Sequence, residues 1–237
     1  MIRRRKQALA LISILLVASC RSQTDAPVTN NSSSDTLVSA TPPFQTKEPE
    51  RYRATRKITN TTTDGKTSVT TYAISKDGEF RRIEAEFVSR RLVFVQGPEG
   101  KFILVPDEKV YMDQAEGAVP AQLFEDESSP ERLLHTDSET SSYQKLGTEL
   151  ISGRKTNKYR VIVNESSAAN VSSSETLIWI DEALGMPIRS ETKSSDGSRS
   201  AMELSELSLE VDKRLFQVPA DYKKVPFAEI SRYLAPH

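Results

Sequence analysis

From residue 48 onward, apolar and polar residues alternate with a period of two, which is typical of strands with one buried face. The segments that carry this pattern best are 69–74, 83–87, 159–163 and 177–180. Tight turns are expected between them, because Asp-Gly pairs supply the positive φ that short hairpins need. These pairs stand at 64–65, 77–78 and 196–197, and Pro98-Glu99-Gly100 marks a further turn. The pattern predicts a meander of antiparallel hairpins.

The apolar phase slips by one residue near Ser205-Glu206. Met202 and Leu204 share one parity, whereas Leu207 and Leu209 share the other. A β-bulge within one strand would produce this slip and would bend the sheet. Two separate short strands would produce it as well, and the sequence leaves both interpretations open.

Helical signals are few and short. Residues 119–124 and 129–134 each begin near a proline that suits the first turn of a helix. After Pro226, the apolar residues Phe227, Ile230 and Leu234 recur at helical spacing. The first two segments lie between two groups of strands, a position that would allow them to form a lid across a curved sheet.

The first twenty residues predict export and lipidation. Arg3-Arg4-Arg5-Lys6 precedes an apolar run at 8–17, which is too short to span a bilayer as a helix. The next residues end in Val17-Ala18-Ser19-Cys20, which resembles the bacterial lipobox, so we expect a diacylglycerol on Cys20. In enteric bacteria, Asp directly after the lipidated Cys retains lipoproteins at the inner membrane. Arg21 stands at this position, so by analogy we expect sorting to the periplasmic face of the outer membrane.

The expected organisation follows from these features. Residues 1–19 form a signal peptide, and residues 20–47 form a disordered tether that is rich in Ser, Thr and Pro. Residues 48–227 form the β domain, and residues 228–237 form a short C-terminal helix or tail. The leader takes four of the 32 Lys and Arg residues, which leaves 28 against 33 Asp and Glu. This mildly acidic balance without a basic cluster argues against nucleic acid as a partner.

Two segments of the second half resemble a known family. The first contains Leu146-Gly147-Thr148-Glu149, Gly153 and 156–161; the second contains Trp179-Ile180-Asp181, 184–189 and Leu215-Phe216 through 225. They are similar to segments of envelope proteins related to the LolA/LolB superfamily of lipoprotein carriers. The resemblance implies a mainly β (α+β) fold: a strongly curved antiparallel sheet, or unclosed β-barrel, with short helices as a lid over its concave face. It also implies that the concave face holds acyl chains.

An apolar cavity is the best candidate site. Its expected lining comes from several strands: Phe80 (in phase only if its strand bends), Ile83, Ala85, Phe87, Tyr159, Val161, Val163, Trp179, Met202 and Leu204. The same residues would also suit a filled core. Leu123 and Phe124, in the first lid segment, are candidates for contact with membrane or cargo.

Catalytic and metal-binding patterns are not evident in the sequence. His135 is the only histidine apart from the terminal His237, and neither lies beside a candidate nucleophile in the chain. We therefore expect a non-enzymatic, monomeric lipoprotein without metal or cofactor, binding a lipid or an acylated cargo. A tethered structural or signalling module acting through an envelope protein partner is the alternative, and a hydrolase using His135 is a third hypothesis.

Overall fold

The alternating segments form antiparallel strands joined by tight turns. The computed structural model describes residues 38–87, 90–114, 141–166 and 171–234. Within these ranges the strands are β1 Val38–Ser39, β2 Arg51–Thr61, β3 Thr67–Asp77, β4 Phe80–Phe87, β5 Arg90–Gly97, β6 Gly100–Val105, β7 Val110–Asp113, β8 Ser141–Ile151, β9 Arg154–Ser166, β10 Val171–Asp181, β11 Pro187–Ser194, β12 Arg199–Ser208 and β13 Lys223–Lys224. The helices in the same ranges are 3₁₀ turns at Pro106–Glu108 and Lys213–Phe216 and the α-helix α1, Phe227–Leu234.

All the described strands belong to one sheet, in the order β1-β8-β9-β10-β11-β12-β2-β3-β4-β5-β6-β7-β13. Two meanders, β2–β7 and β8–β12, are joined where β12 pairs with β2. Neighbouring strands are antiparallel except β13, which pairs in parallel with β7. The two ends of the order do not pair with each other, so the sheet is a curved, unclosed barrel, as predicted.

The predicted turns and the phase slip are explained by local backbone geometry. The Asp-Gly pairs lie between β2 and β3, β3 and β4, and β11 and β12, with a φ of 82° at Gly65 and 92° at Gly197. At the slip, the pairing of β12 with β2 shifts between Ser205 and Ser208, and Glu206 has a φ of 54°. The slip is therefore an irregularity within one strand, and the β-bulge interpretation is confirmed.

Strand pairing defines two faces of the sheet, because paired residues point to the same side and the side alternates along each strand. We call one of them the inner face; on it, Tyr159, Ile178, Ser190, Met202 and Ile58 form a continuous row across β9 to β2. The same face continues through Ala54, Ile74, Ile83, Phe94, Ile103 and Met112. Three clusters of buried apolar residues lie on it.

A fourth apolar cluster lies on the opposite side, which we call the outer face. It comprises Val93, Val95, Phe102 and Leu104, with Tyr222 packed against it. The two sides of β5 and β6 are therefore both buried, which explains why residues 92–95 and 102–105 are apolar without alternation.

The C-terminal helix forms where its spacing predicted a helix, and it packs on the inner face. Ile230 of α1 is buried in the cluster that contains Val110 and Met112. The other two predicted helices, with Leu123 and Phe124, lie outside the described residues, as do Cys20 and His135. None of the helices in the described ranges has the length and apolar character needed to cross a membrane.

Residues 38–47 were predicted to belong to the tether, but the structure places them against the sheet. Val38 and Ser39 pair with β8, and the Phe44 ring lies 4.5 Å from the ring of Tyr159, centroid to centroid. The Lys47 amide donates a hydrogen bond of 3.1 Å to the Gly185 carbonyl oxygen. We call residues 38–50 the strap, because they connect β8 to β2 past the four strands that separate them in the sheet.

Candidate functional site

The inner face gathers most of the residues that the sequence singled out. Ile83, Tyr159, Val161, Met202 and Leu204 all lie on it, and all are buried. They are spread over three clusters rather than one: Ile83 in the first, Met202 and Leu204 in the second, and Tyr159 and Val161 in the third. At these positions the inner face is a packed apolar core.

Trp179 is on the outer face, so the prediction that it shares a surface with Tyr159 is wrong. It pairs with Lys158, whereas its neighbour Ile178 pairs with Tyr159. The sequence 177–180 is apolar at every position, so its parity could not be read from the pattern.

Three charged side chains surround Trp179. Its ring centroid lies 4.7 Å from Lys158 Nζ and 5.0 Å from the guanidinium carbon of Arg189. Its Nε1 donates a 2.7 Å hydrogen bond to Glu149 Oε2, and Lys158 donates one of 2.7 Å to Oε1. These bonds, that from Lys158 foremost, lower the pKa of Glu149. The group ties β8, β9, β10 and β11 together by cation–π and ionic contacts, which indicates a structural role.

Phe80 is also on the outer face. Its register partner is Asp77, and the Asp77–Phe80 pair stands three positions from the Ile74–Ile83 pair; the Phe80 ring lies 6.0 Å from that of Phe216. The prediction that Phe80 lines the cavity is therefore wrong, because the alternation from Ile83 back to residue 80 reverses the side. Phe87 pairs with Arg90 at the end of β4, and its side chain lies outside the described set.

A partly exposed strip borders the packed core, and the sequence did not single it out as a unit. It consists of Ile58 on β2, Thr70 and Tyr72 on β3, and Ala85 on β4, which we call the inner strip. Ile58 pairs with Thr70, and Tyr72 pairs with Ala85, so the four side chains are neighbours on one face. These four side chains are accessible from solvent, so an apolar ligand would be able to contact the inner face here.

Arg56 lies beside the inner strip and is buried, with 3% of its surface exposed. Its register partners are Leu204 and Tyr72. Its guanidinium carbon lies 5.3 Å from the centroid of the Tyr72 ring, within cation–π range. In the sequence, Arg56 alternates in step with Tyr52, Ala54 and Ile58, and this pattern already indicated that it lies on the apolar side of β2.

A polar network lies at one end of the inner face, where the strap meets β2. The buried Tyr52 hydroxyl donates a 2.6 Å hydrogen bond to Glu48 Oε1, and Arg81 forms an ion pair with the same carboxylate. Lys76 Nζ donates a 3.2 Å bond to the Pro49 carbonyl oxygen. Burial, followed by the Glu48 charge, raises the pKa of Tyr52, so its phenol stays protonated. This network fixes the strap to β2, β3 and β4.

Asp181 closes the turn between β10 and β11. Its Oδ1 accepts hydrogen bonds of 2.9 Å from the backbone amides of Ala183 and Leu184, while Oδ2 pairs with Arg154. Of three consecutive residues, Trp179 thus lies on the outer face, Ile180 lies on the inner face, and Asp181 stabilises the turn. Among the residues that the structure describes, no group of three or more His, Cys, Asp or Glu side chains is arranged to hold a metal ion.

Comparison with known proteins gives similarity in fold. No family model and no curated protein matches the chain. Similar solved structures include a LolA superfamily protein from Nitrosomonas europaea, which is 11% identical, with 72% of this chain and 92% of that one covered and a TM-score of 0.32. LprF from Mycobacterium bovis is 10% identical, with 73% and 90% covered and a TM-score of 0.45. MucB is 13% identical, with 73% and 59% covered and a TM-score of 0.42. The chain resembles LolA-superfamily structures, as expected from its sequence, and at these identities the likeness concerns the fold alone.

Proposed function

We propose that this chain is a non-enzymatic envelope lipoprotein that binds a lipid or an acylated cargo on the inner face of its sheet. The observation that carries the proposal is the inner strip. Ile58, Tyr72 and Ala85 are partly exposed, although they adjoin the buried apolar residues Ala54, Ile74 and Ile83 on the same face. Each methylene group of an acyl chain that is buried there would contribute about 0.8 kcal/mol.

The surroundings of the inner strip suit one end of an acyl chain. On one side Ala54, Ile74 and Ile83 form a filled apolar wall. On the other side, Asn60, Ser68 and Ser200 continue the same face with polar groups. The inner strip is therefore bounded by an apolar wall on one side and by hydrogen-bonding groups on the other.

Binding is tested with a matched pair of tryptophan substitutions on neighbouring strands. Ala85→Trp fills the inner strip, and Ala73→Trp places the same side chain on the outer face of β3. Both alanines are at least partly exposed, so both variants are expected to fold. Displacement of a fluorescent fatty acid from the mature chain, residues 20–237 with Cys20→Ala, measures affinity. We expect Ala85→Trp to weaken binding at least about tenfold, or about 1.4 kcal/mol, and Ala73→Trp to leave it unchanged. Equal behaviour of the two variants would contradict the proposal.

Membrane attachment through Cys20 is a separate part of the proposal. It rests on the lipobox-like sequence 17–20, and Arg21 favours the periplasmic face of the outer membrane. Metabolic labelling with an alkyne fatty acid should tag the wild-type protein and not the Cys20→Ala variant. Fractionation of inner and outer membranes tests the location.

A protein partner is the second candidate function, and the edge of β8 favours it. Within the described ranges, the outer edge of β8 pairs only at Tyr143 and Gln144, where β1 lies. Leu146 and Leu150 are exposed on the remainder of this strand. An extended segment of a partner would add to such an edge by backbone hydrogen bonds. Leu150→Pro should abolish capture of that partner by the lipidated protein, while Ala85→Trp should not.

A further inference from the structure

The five strands around the inner strip have an unusual distribution of charge between their two faces. On β11, β12, β2, β3 and β4, the described inner-face positions include no Asp or Glu, as the registers assign them. The outer face of the same strands carries acids and bases side by side, such as the Arg51–Asp77 pair and the Arg82–Glu84 pair. The inner face of these strands is therefore apolar, hydroxylic or cationic.

Three cations lie on this part of the inner face, and their surroundings differ. Lys76 and Arg81 lie at the end of the face, near the Glu48 carboxylate of the strap. Arg56 lies further along β2, between Ala54 and Ile58, with Leu204 beside it on β12. It is buried on the side of the apolar wall and adjoins the partly exposed ring of Tyr72.

Arginine is an uncommon side chain at a buried position between apolar neighbours. Removing an arginine from water carries a desolvation cost, and apolar residues of similar volume often stabilise a core as well or better. An arginine is, however, the side chain best suited to an anionic oxygen group, because its planar fork donates parallel hydrogen bonds to phosphate or carboxylate.

We infer that Arg56 selects an amphiphile with an anionic head group, a lipid whose phosphate or carboxylate meets the guanidinium while its acyl chain lies along the inner strip. This inference rests on the proposed lipid-binding function and specifies its ligand class. Lys76 and Arg81 face the Glu48 carboxylate, so Arg56 is the inner-face cation of these strands that would contribute most to attracting an anionic head group. The ring of Tyr72 holds the guanidinium plane in place by cation–π attraction.

The test compares three single-chain lipids with the same myristoyl tail: lysophosphatidylglycerol, lysophosphatidylcholine and monomyristoylglycerol. Affinities are measured by displacement from the mature chain with Cys20→Ala, at low and high salt. The wild type should bind the anionic lysophosphatidylglycerol about tenfold more tightly than the neutral monomyristoylglycerol, because a charge-assisted hydrogen bond contributes at least this much. Added salt should reduce this ratio without changing affinity for the neutral lipid.

Arg56→Met should remove most of the head-group preference and leave binding of monomyristoylglycerol within about twofold. Arg56→Lys, which retains the charge, should keep part of the preference, and Arg53→Met on the outer face of β2 should keep all of it. If Arg56→Met does not fold, the salt dependence and the Arg56→Lys ratio decide the question. A wild type that binds all three lipids equally would overturn the inference about Arg56 and leave lipid binding intact. A wild type that binds none of them would overturn the proposed function as well.

Discussion

Asp181 provides a quantitative test of how the turn between β10 and β11 is stabilised. Its carboxylate accepts two backbone hydrogen bonds, from Ala183 and Leu184, and pairs with Arg154. Asp181 is 2% exposed, whereas the Arg154 side chain is 33% exposed, so the ion pair is only partly shielded from water. Asp181→Ala removes all three interactions, whereas Asp181→Asn retains an oxygen that can accept the two backbone bonds.

The expected magnitudes follow from these partners. Two hydrogen bonds at about 1 kcal/mol each and a partly exposed ion pair at about 1 kcal/mol give a loss of about 3 kcal/mol for Asp181→Ala. Asp181→Asn should cost about 1 kcal/mol, because only the ionic contribution is lost. For a domain of this size, 1 kcal/mol corresponds to about 2–4 °C in Tm.

Urea denaturation of the mature chain, followed by tryptophan fluorescence, measures both variants. Asp196→Ala is the control, since Asp196 accepts a similar bond from the Ser198 amide in an exposed turn, and its loss should be smaller. If Asp181→Asn is as destabilised as Asp181→Ala, the ion pair rather than the turn bonds holds the loop. If neither variant differs from wild type, the reasoning is refuted.

Three further predictions concern other parts of the sheet. Gly97→Ala should cost about 2–3 kcal/mol in urea denaturation through overpacking, because a Cβ there would lie 2.0 Å from the Phe216 carbonyl oxygen; an unchanged midpoint would contradict this contact. The pKa of Glu149 is lowered, mainly by the hydrogen bond from Lys158, so its carboxylate contributes stability that is present above the unfolded-state pKa and lost as pH falls through the folded-state pKa. In Glu149→Gln, the free energy of unfolding should therefore fall less steeply than in the wild type as the pH drops below about 4.3. Parallel pH profiles of the wild type and the variant would contradict this role of Glu149. Phe44→Ala should destabilise the domain by about 1–2 kcal/mol, whereas a residue in a disordered tether would have no measurable effect.

Much of the fold was predictable because local rules govern it. Asp-Gly pairs specify tight turns, and clean alternation specifies a half-buried strand, so residues 69–74 and 83–87 were assigned correctly. The slip at Ser205-Glu206 was visible as a change of parity, although only the structure distinguished a bulge from a break. Where a strand is apolar on both sides, as at 177–180, alternation disappears and the face of Trp179 could not be predicted.

The strap was missed for a different reason. Residues 38–47 have few large apolar side chains, and composition alone therefore favoured disorder. Their order comes from one aromatic anchor, Phe44, and from backbone bonds to β8 and to Gly185, which are distant along the chain. Such contacts exist only after the sheet has formed.

By itself, the sequence determined where the strands and turns lie and which residues share a parity, because these depend on neighbours a few positions apart. The tertiary structure alone decided that β12 pairs with β2, which joins two meanders into one unclosed sheet and aligns Met202 with Ile58. That pairing brings Leu204 next to Arg56 and sets Arg56 on an apolar face beside a partly exposed strip. The candidate site is therefore a product of long-range register, which is set by the packing of the whole sheet rather than by any local pattern.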